Sequence, residues 1–200
     1  MSSRNRFLIF TIGLMVVFNL AIAFDVLGNG NAELFAEGAF IEDISFFSFL
    51  CGALTLFASA CYRSGFDRYL TLVFATTCLL LFLREVEIEE LNIPFPIKEI
   101  FSDTAKDLLF GIIYLGFIVT FFTRYRHQLR ATPRLLRSSV AIWVLVGCVV
   151  CVIGSAFEDL DRVFVEELLE SNGAFLILVG ALLHIFEPGN LTARITEKSR

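Results

Sequence analysis

The sequence predicts an all-α membrane protein, a bundle of six transmembrane helices with both termini cytoplasmic (N-in/C-in). Three observations carry that expectation. Of 200 residues, 56% are hydrophobic and 23 are Phe, with a mean hydropathy of +0.75, more apolar surface than a soluble domain of this size buries. Cutting the chain at every charged residue leaves six long charge-free stretches, and elsewhere no such run exceeds seven residues. The basic residues gather in alternate connecting segments.

The stretches are 7–24, 44–62, 69–83, 108–123, 138–157 and 171–186, of 18, 19, 15, 16, 20 and 16 residues. A bilayer core about 30 Å thick takes roughly 20 helical residues, with ~17 as the short end. Three stretches meet this alone, and the other three must draw polar residues into the membrane at their ends. Runs this long and non-alternating are helices, since only helices and closed barrels satisfy their own backbone in hydrocarbon. Spans at about 7–24, 43–62, 69–86, 106–123, 138–157 and 168–186 follow, within a single integral membrane domain covering 1–200. The first span also carries a basic start, an apolar core and Ala21-Ile22-Ala23, the plan of a cleavable signal peptide. Retention gives six spans and cleavage five.

With the N-terminus inside, twelve of the sixteen Lys and Arg fall in cytoplasmic segments, and only Arg84, Lys98, Lys106 and Arg162 lie outside. The acids sort the other way: 18 of 21 lie outside, leaving Asp67, Glu187 and Glu197 within. The net charge of −5 thus conceals an acidic outer face and a basic inner one. This pattern suits a bacterial inner membrane with acidic extracytoplasmic loops. The inner loop RYRHQLRATPRLLR sets Arg124, Arg126, Arg130, Arg134 and Arg137 where anionic lipid headgroups meet the chain. Topology anchoring alone explains the same residues.

A parallel repeat of the first and last hairpins is legible. Glu42–Phe57 aligned without gaps to Glu170–Ile185 matches at six of sixteen positions, including Gly52-Ala53-Leu54 with Gly180-Ala181-Leu182. Shared membrane composition produces matches of this size too. Short amphipathic extracytoplasmic segments are expected at Ile93–Phe101, which its prolines break, and at 159–170, capped by Asp159 or Asp161.

The candidate site lies among the outer helix ends. Tyr69–Leu83 spans only about 22 Å at 1.5 Å per residue, so its helix must carry Arg84 and Glu85 into the membrane boundary. Charged groups there usually face the bundle interior and pair. The alternative is an arginine snorkelling to the interface. Glu170 and Glu42 open descending helices, and Glu158 ends an ascending one. A carboxylate near a helix N-terminus is favoured by the helix dipole, and it also suits a ligand or proton-accepting group. Glu42, Glu85, Glu158 and Glu170 are therefore expected as anionic ligands, with Arg84 as internal counter-charge.

Cys148-Val149-Val150-Cys151 resembles the redox motif of the vitamin K epoxide reductases and related quinone-linked membrane proteins. The likeness covers four residues, and the second, loop-borne cysteine pair of those families is missing among Cys51, Cys61 and Cys78. Gly147, Cys151 and Ser155 instead form a small-residue ridge suited to close helix packing. Two histidines, His127 and His184, lie far from the outer acids, which disfavours a zinc site and the ligand set of an alkaline-ceramidase-type hydrolase. An oxygen-bound divalent cation stays open, while no nucleotide, haem or nucleic-acid signal occurs.

The leading expectation is a multi-pass inner-membrane protein whose outward-facing acidic pocket binds, and transports, a cation or a cationic or polar small molecule. Two alternatives stand beside it. One is a membrane-embedded enzyme acting on lipid or isoprenoid substrates through carboxylate acid–base chemistry. The other is a non-catalytic interaction subunit that docks a membrane protein partner. The sequence leaves the ligand, the cofactor and the presence of catalysis open.

Overall fold

The computed structural model describes residues 3–30, 40–85, 103–130, 139–158 and 163–186. Apart from Gly30 and the turn at residues 62–64, the described chain is helical: α1 (Ser3–Asn29), α2 (Phe40–Cys61), α3 (Gly65–Glu85), α4 (Asp103–Thr120), α5 (Ser139–Glu158) and α6 (Val163–Phe186). All six are long and apolar enough to cross a membrane. The segment Ile93–Phe101 lies outside the described residues, as do Arg134 and Arg137.

Two ends differ from the sequence expectation. Of residues 159–170, expected as a separate surface helix, Asp159 and Asp161 lie outside the described residues, and 163–170 form the first two turns of α6, because Val163, Phe164 and Val165 extend its apolar run. After Thr120, α4 continues as a π turn over Phe121–Tyr125 and a 3-10 turn over Arg126–Arg130, so the first part of the basic loop is helical. Tyr69 of α3 donates to Phe117 O at 2.7 Å just before the π turn, and its ring stacks among Phe66, Phe121 and Tyr125.

Side-chain bonds fix the direction of the helices. Arg63, in the short turn between α2 and α3, donates to His184 O near the C-terminus of α6 at 2.7 Å. Arg84, in the last turn of α3, reaches Glu170 in the first half of α6. Tyr69, early in α3, meets Phe117, late in α4. α3 therefore runs antiparallel to α2, α4 and α6, and α2 runs parallel to α6, which gives the bundle an Arg63 end and an Arg84 end. Gly65, at φ +59°, permits the reversal between α2 and α3, and Gly30, at φ +68°, closes α1 with a bond from its N–H to Val26 O.

The core sits among α2, α3, α5 and α6. Phe49, Ala53 and Leu56 of α2 meet Ala75 and Cys78 of α3, Cys151 of α5, and Ala174, Ile177 and Ala181 of α6. Helix α6 is the most enclosed span, while the described side chains of α4 include none that is buried. At the Arg63 end a polar cluster ties α2, α3 and α6. Thr71 donates its hydroxyl hydrogen to Asp67 O at 2.7 Å, so at the 2.8 Å contact His184 Nε2–H is the donor and Thr71 Oγ1 the acceptor.

Between α5 and α6 the backbones touch. A Cβ on Gly147 would lie 2.6 Å from Gly173 O, and a Cβ on Gly180 would lie 2.8 Å from Val144 Cγ2. Lipid removes the hydrophobic drive for helix association, so close packing through small residues must supply it. Cys151, buried at this seam, is a free thiol, as are the other four cysteines. Gly147→Ala is expected to lower stability by about 1–3 kcal/mol through overpacking. Gly13→Ala, where the added methyl meets nothing within 4 Å, is expected not to lower it. Reversible unfolding in detergent, followed by circular dichroism, separates the two.

Candidate polar site at the Arg84 end

The antiparallel arrangement gathers all five expected site residues at one end. Glu42 lies in the first turn of α2, Arg84 and Glu85 close α3, Glu158 ends α5, and Glu170 is the eighth residue of α6. Two of the five are in direct contact. Arg84 Nη2 lies 2.7 Å from Glu170 Oε1 and 2.9 Å from Oε2, so one guanidinium nitrogen bridges both carboxylate oxygens. The side chains of Glu85 and Glu158 lie outside the described set, and Glu42 is half-buried. The partner that Arg84 shows is thus on another helix, 86 residues along the chain.

Ser155 completes the arrangement. Its hydroxyl donates to Glu170 Oε1 at 2.7 Å, and it accepts from Arg84 Nη1 at 3.3 Å. Glu170 reaches it because α5 presents glycine where the acid passes. A Cβ on Gly154 would stand 2.9 Å from Glu170 Cγ and 3.2 Å from Glu166 O. The seam that joins α5 to α6 therefore also makes room for the buried acid.

Exposure divides the pair unevenly. The Glu170 side chain is 7% exposed and that of Arg84 is 46% exposed. A buried carboxylate is tolerated when paired and hydrogen-bonded, and Glu170 has three such bonds. The guanidinium pairs through one nitrogen rather than the parallel two-nitrogen fork, so its hold is less geometrically locked. Buried acid and half-exposed base thus form an uneven ion pair.

The opposite face of α6 carries a feature that sequence reasoning missed. Asn172 and Asn19 of α1 pair their side-chain amides, each Nδ2 lying 2.7 Å from the other's Oδ1. An amide in the middle of the 7–24 apolar stretch was the available signal, since polar groups in membrane spans usually bond across helices. Ser155 was read only as a small residue, although a hydroxyl on that ridge carried a second signal. Among the described residues no three His, Cys, Asp or Glu side chains group as a metal set.

Removing Arg84 leaves the buried Glu170 carboxyl without its partner, whereas replacing both side chains leaves an apolar contact. Arg84→Leu is therefore expected to destabilise more than Arg84→Leu with Glu170→Leu. A double-mutant cycle in lipid nanodiscs reads the difference, about 1–3 kcal/mol for a buried group left without its partner. No known protein family, curated protein or solved structure matches the chain.

Proposed function

We propose that the protein is a multi-pass inner-membrane binding protein, with its termini cytoplasmic and its Arg84 end facing outward. On this reading it takes up a cation, or a small cationic or hydrogen-bonding molecule, at Glu170. The observation that carries the reading is the uneven ion pair: a buried acid matched to a half-exposed arginine. An incoming cation competes with Arg84, and the displaced guanidinium turns toward the aqueous boundary. Ser155 stays as a second oxygen for the ligand. Glu42, Glu85 and Glu158 share that end and attract cations to it by their field.

Such exchange couples ligand to conformation, because the pairing of Arg84 ties α3 to α5 and α6. The coupling would support transport, with the faint repeat of the α1–α2 and α5–α6 hairpins as its frame. At the inner face, Arg124, Arg126 and Arg130, with Arg134 and Arg137 beyond them, would meet anionic lipids. A second reading, a membrane interaction subunit, draws on α4, whose Leu108, Ile112, Leu115 and Phe122 are exposed. A lipid-processing enzyme finds less support: the apolar groove beside Asn172 has no acid among its described lining residues.

Competition has a distinctive signature. Removing the internal competitor tightens ligand binding, because the binding-competent fraction rises. In nanodiscs at constant ionic strength, thermal stabilisation is titrated with sodium, potassium, magnesium, methylammonium and methylguanidinium. At least one is expected to stabilise the native chain, about ten-fold more tightly in Arg84→Gln and not at all in Glu170→Gln. Equal affinity in all three proteins would exclude Glu170 as the ligand group.

A further inference from the structure

Helix α1 meets the bundle at two separated places. At the Arg63 end Phe7 and Leu8 pack against Val140, Val179 and Leu183. Toward the Arg84 end Asn19 pairs with Asn172, and each amide also donates to the carbonyl four residues back, Met15 at 2.7 Å and Leu168 at 2.6 Å. Both amides thus have all their N–H groups bonded. Beyond Thr11 and up to the amide pair, α1 borders a partly open groove of about 310 Å³ whose lining includes Met15, Phe18, Ile44, Asn172 and Phe175. Only Thr11 and Ile22 of α1 are buried among the described residues.

In a bilayer, apolar contacts between α1 and the bundle exchange for equally apolar contacts with lipid, so they hold the helix weakly. The amide pair then decides whether the outer half of α1 stays closed. The helix is also weakest between anchor and latch. Thr11 bonds back to Phe7 O, a contact that bends helices, and Gly13 follows with open space around it. Anchor, flexible turn and latch come in that order along α1.

We propose that α1 is a side gate that bends at Thr11–Gly13, releases Asn19 from Asn172 and admits a hydrocarbon chain of a bilayer lipid to the groove. The lining fits that occupant chemically. Its polar members are already engaged, Asn172 as above and Ser171 with Leu168 O at 3.2 Å, so the groove offers a polar solute little. Leu14 to Phe18 lie within the charge-free 7–24 stretch, so the medium on the open side is lipid tail. At 3.6 residues per turn, Asn172 and Glu170 face nearly opposite sides of α6. The gate therefore stands independently of the Arg84–Glu170 exchange.

The test uses the full chain in phosphatidylcholine vesicles, with photoreactive p-benzoylphenylalanine replacing Met15 in the groove or the exposed Phe10 as reference. Irradiation followed by mass spectrometry counts phospholipid adducts. Asn19→Leu is expected to raise adducts at position 15 about three-fold, the population change that ~0.6 kcal/mol of interhelical bonding gives, and to leave position 10 unchanged. Asn172→Leu, which cuts the same latch from the other helix, is expected to match it, with no further rise in the double variant. Equal yields with and without the latch overturn the gate. So does a parallel rise at both positions, which means that α1 simply detaches. Protein adducts in place of lipid ones overturn the occupant, and an intact mass lacking the α1 residues overturns the whole proposal.

Discussion

The rest of the structure depends on the close approach of α5 and α6. Their backbones meet where Gly147 faces Gly173, with no room for a side chain between Gly147 and the opposing carbonyl. In water such a seam would be one contribution beside hydrophobic burial. In lipid it is a principal source of helix association, because a larger side chain gains no more from a helix than from an acyl chain. Gly154 and Gly180 continue the seam to either side, against Glu170 and Val144.

That seam and the polar layer are one construction. Glu170 passes Gly154 to reach Ser155, and only there does Arg84 reach it from α3. The acid is thus desolvated by packing and made tolerable by two donors from different helices. Each part restricts the others: a wider seam would admit lipid or water beside the carboxylate, and a displaced α3 would strip its counter-charge. At the other end, hydrogen bonds of Arg63, Thr71 and His184 tie α2, α3 and α6. The Arg84 end ties α3, α5 and α6 through an ion pair with a half-exposed base.

The sequence made the spans legible because charge-free length is a one-dimensional property. The shortness of 69–83 pointed to Arg84 at the membrane boundary, and the shortness of 171–186 pointed to Glu170 inside the last helix. It did not reveal that these two meet. Membrane helices are apolar on every side, so periodicity does not tell which face turns inward, and pairing across 86 residues leaves no local trace. Glu85, adjacent to Arg84 in sequence, was expected beside it, and its side chain lies outside the described set. Asn19 and Ser155 were visible as polar groups within apolar runs, but their partners lay on other helices. The early start of α6 was masked by the acids that interrupt its first turns, Glu166, Glu167 and Glu170.

The central claim is that the glycine seam holds Glu170 buried against an arginine from α3. Solid-state NMR of the protein in bilayers, with ¹⁵N in the Arg84 guanidinium and ¹³C in the Glu170 carboxyl, measures that separation by dipolar dephasing. The account predicts strong dephasing, from a nitrogen within about 4 Å of the carboxylate. Weak dephasing, from a guanidinium that lies among the lipid headgroups beyond ~6 Å, would contradict it.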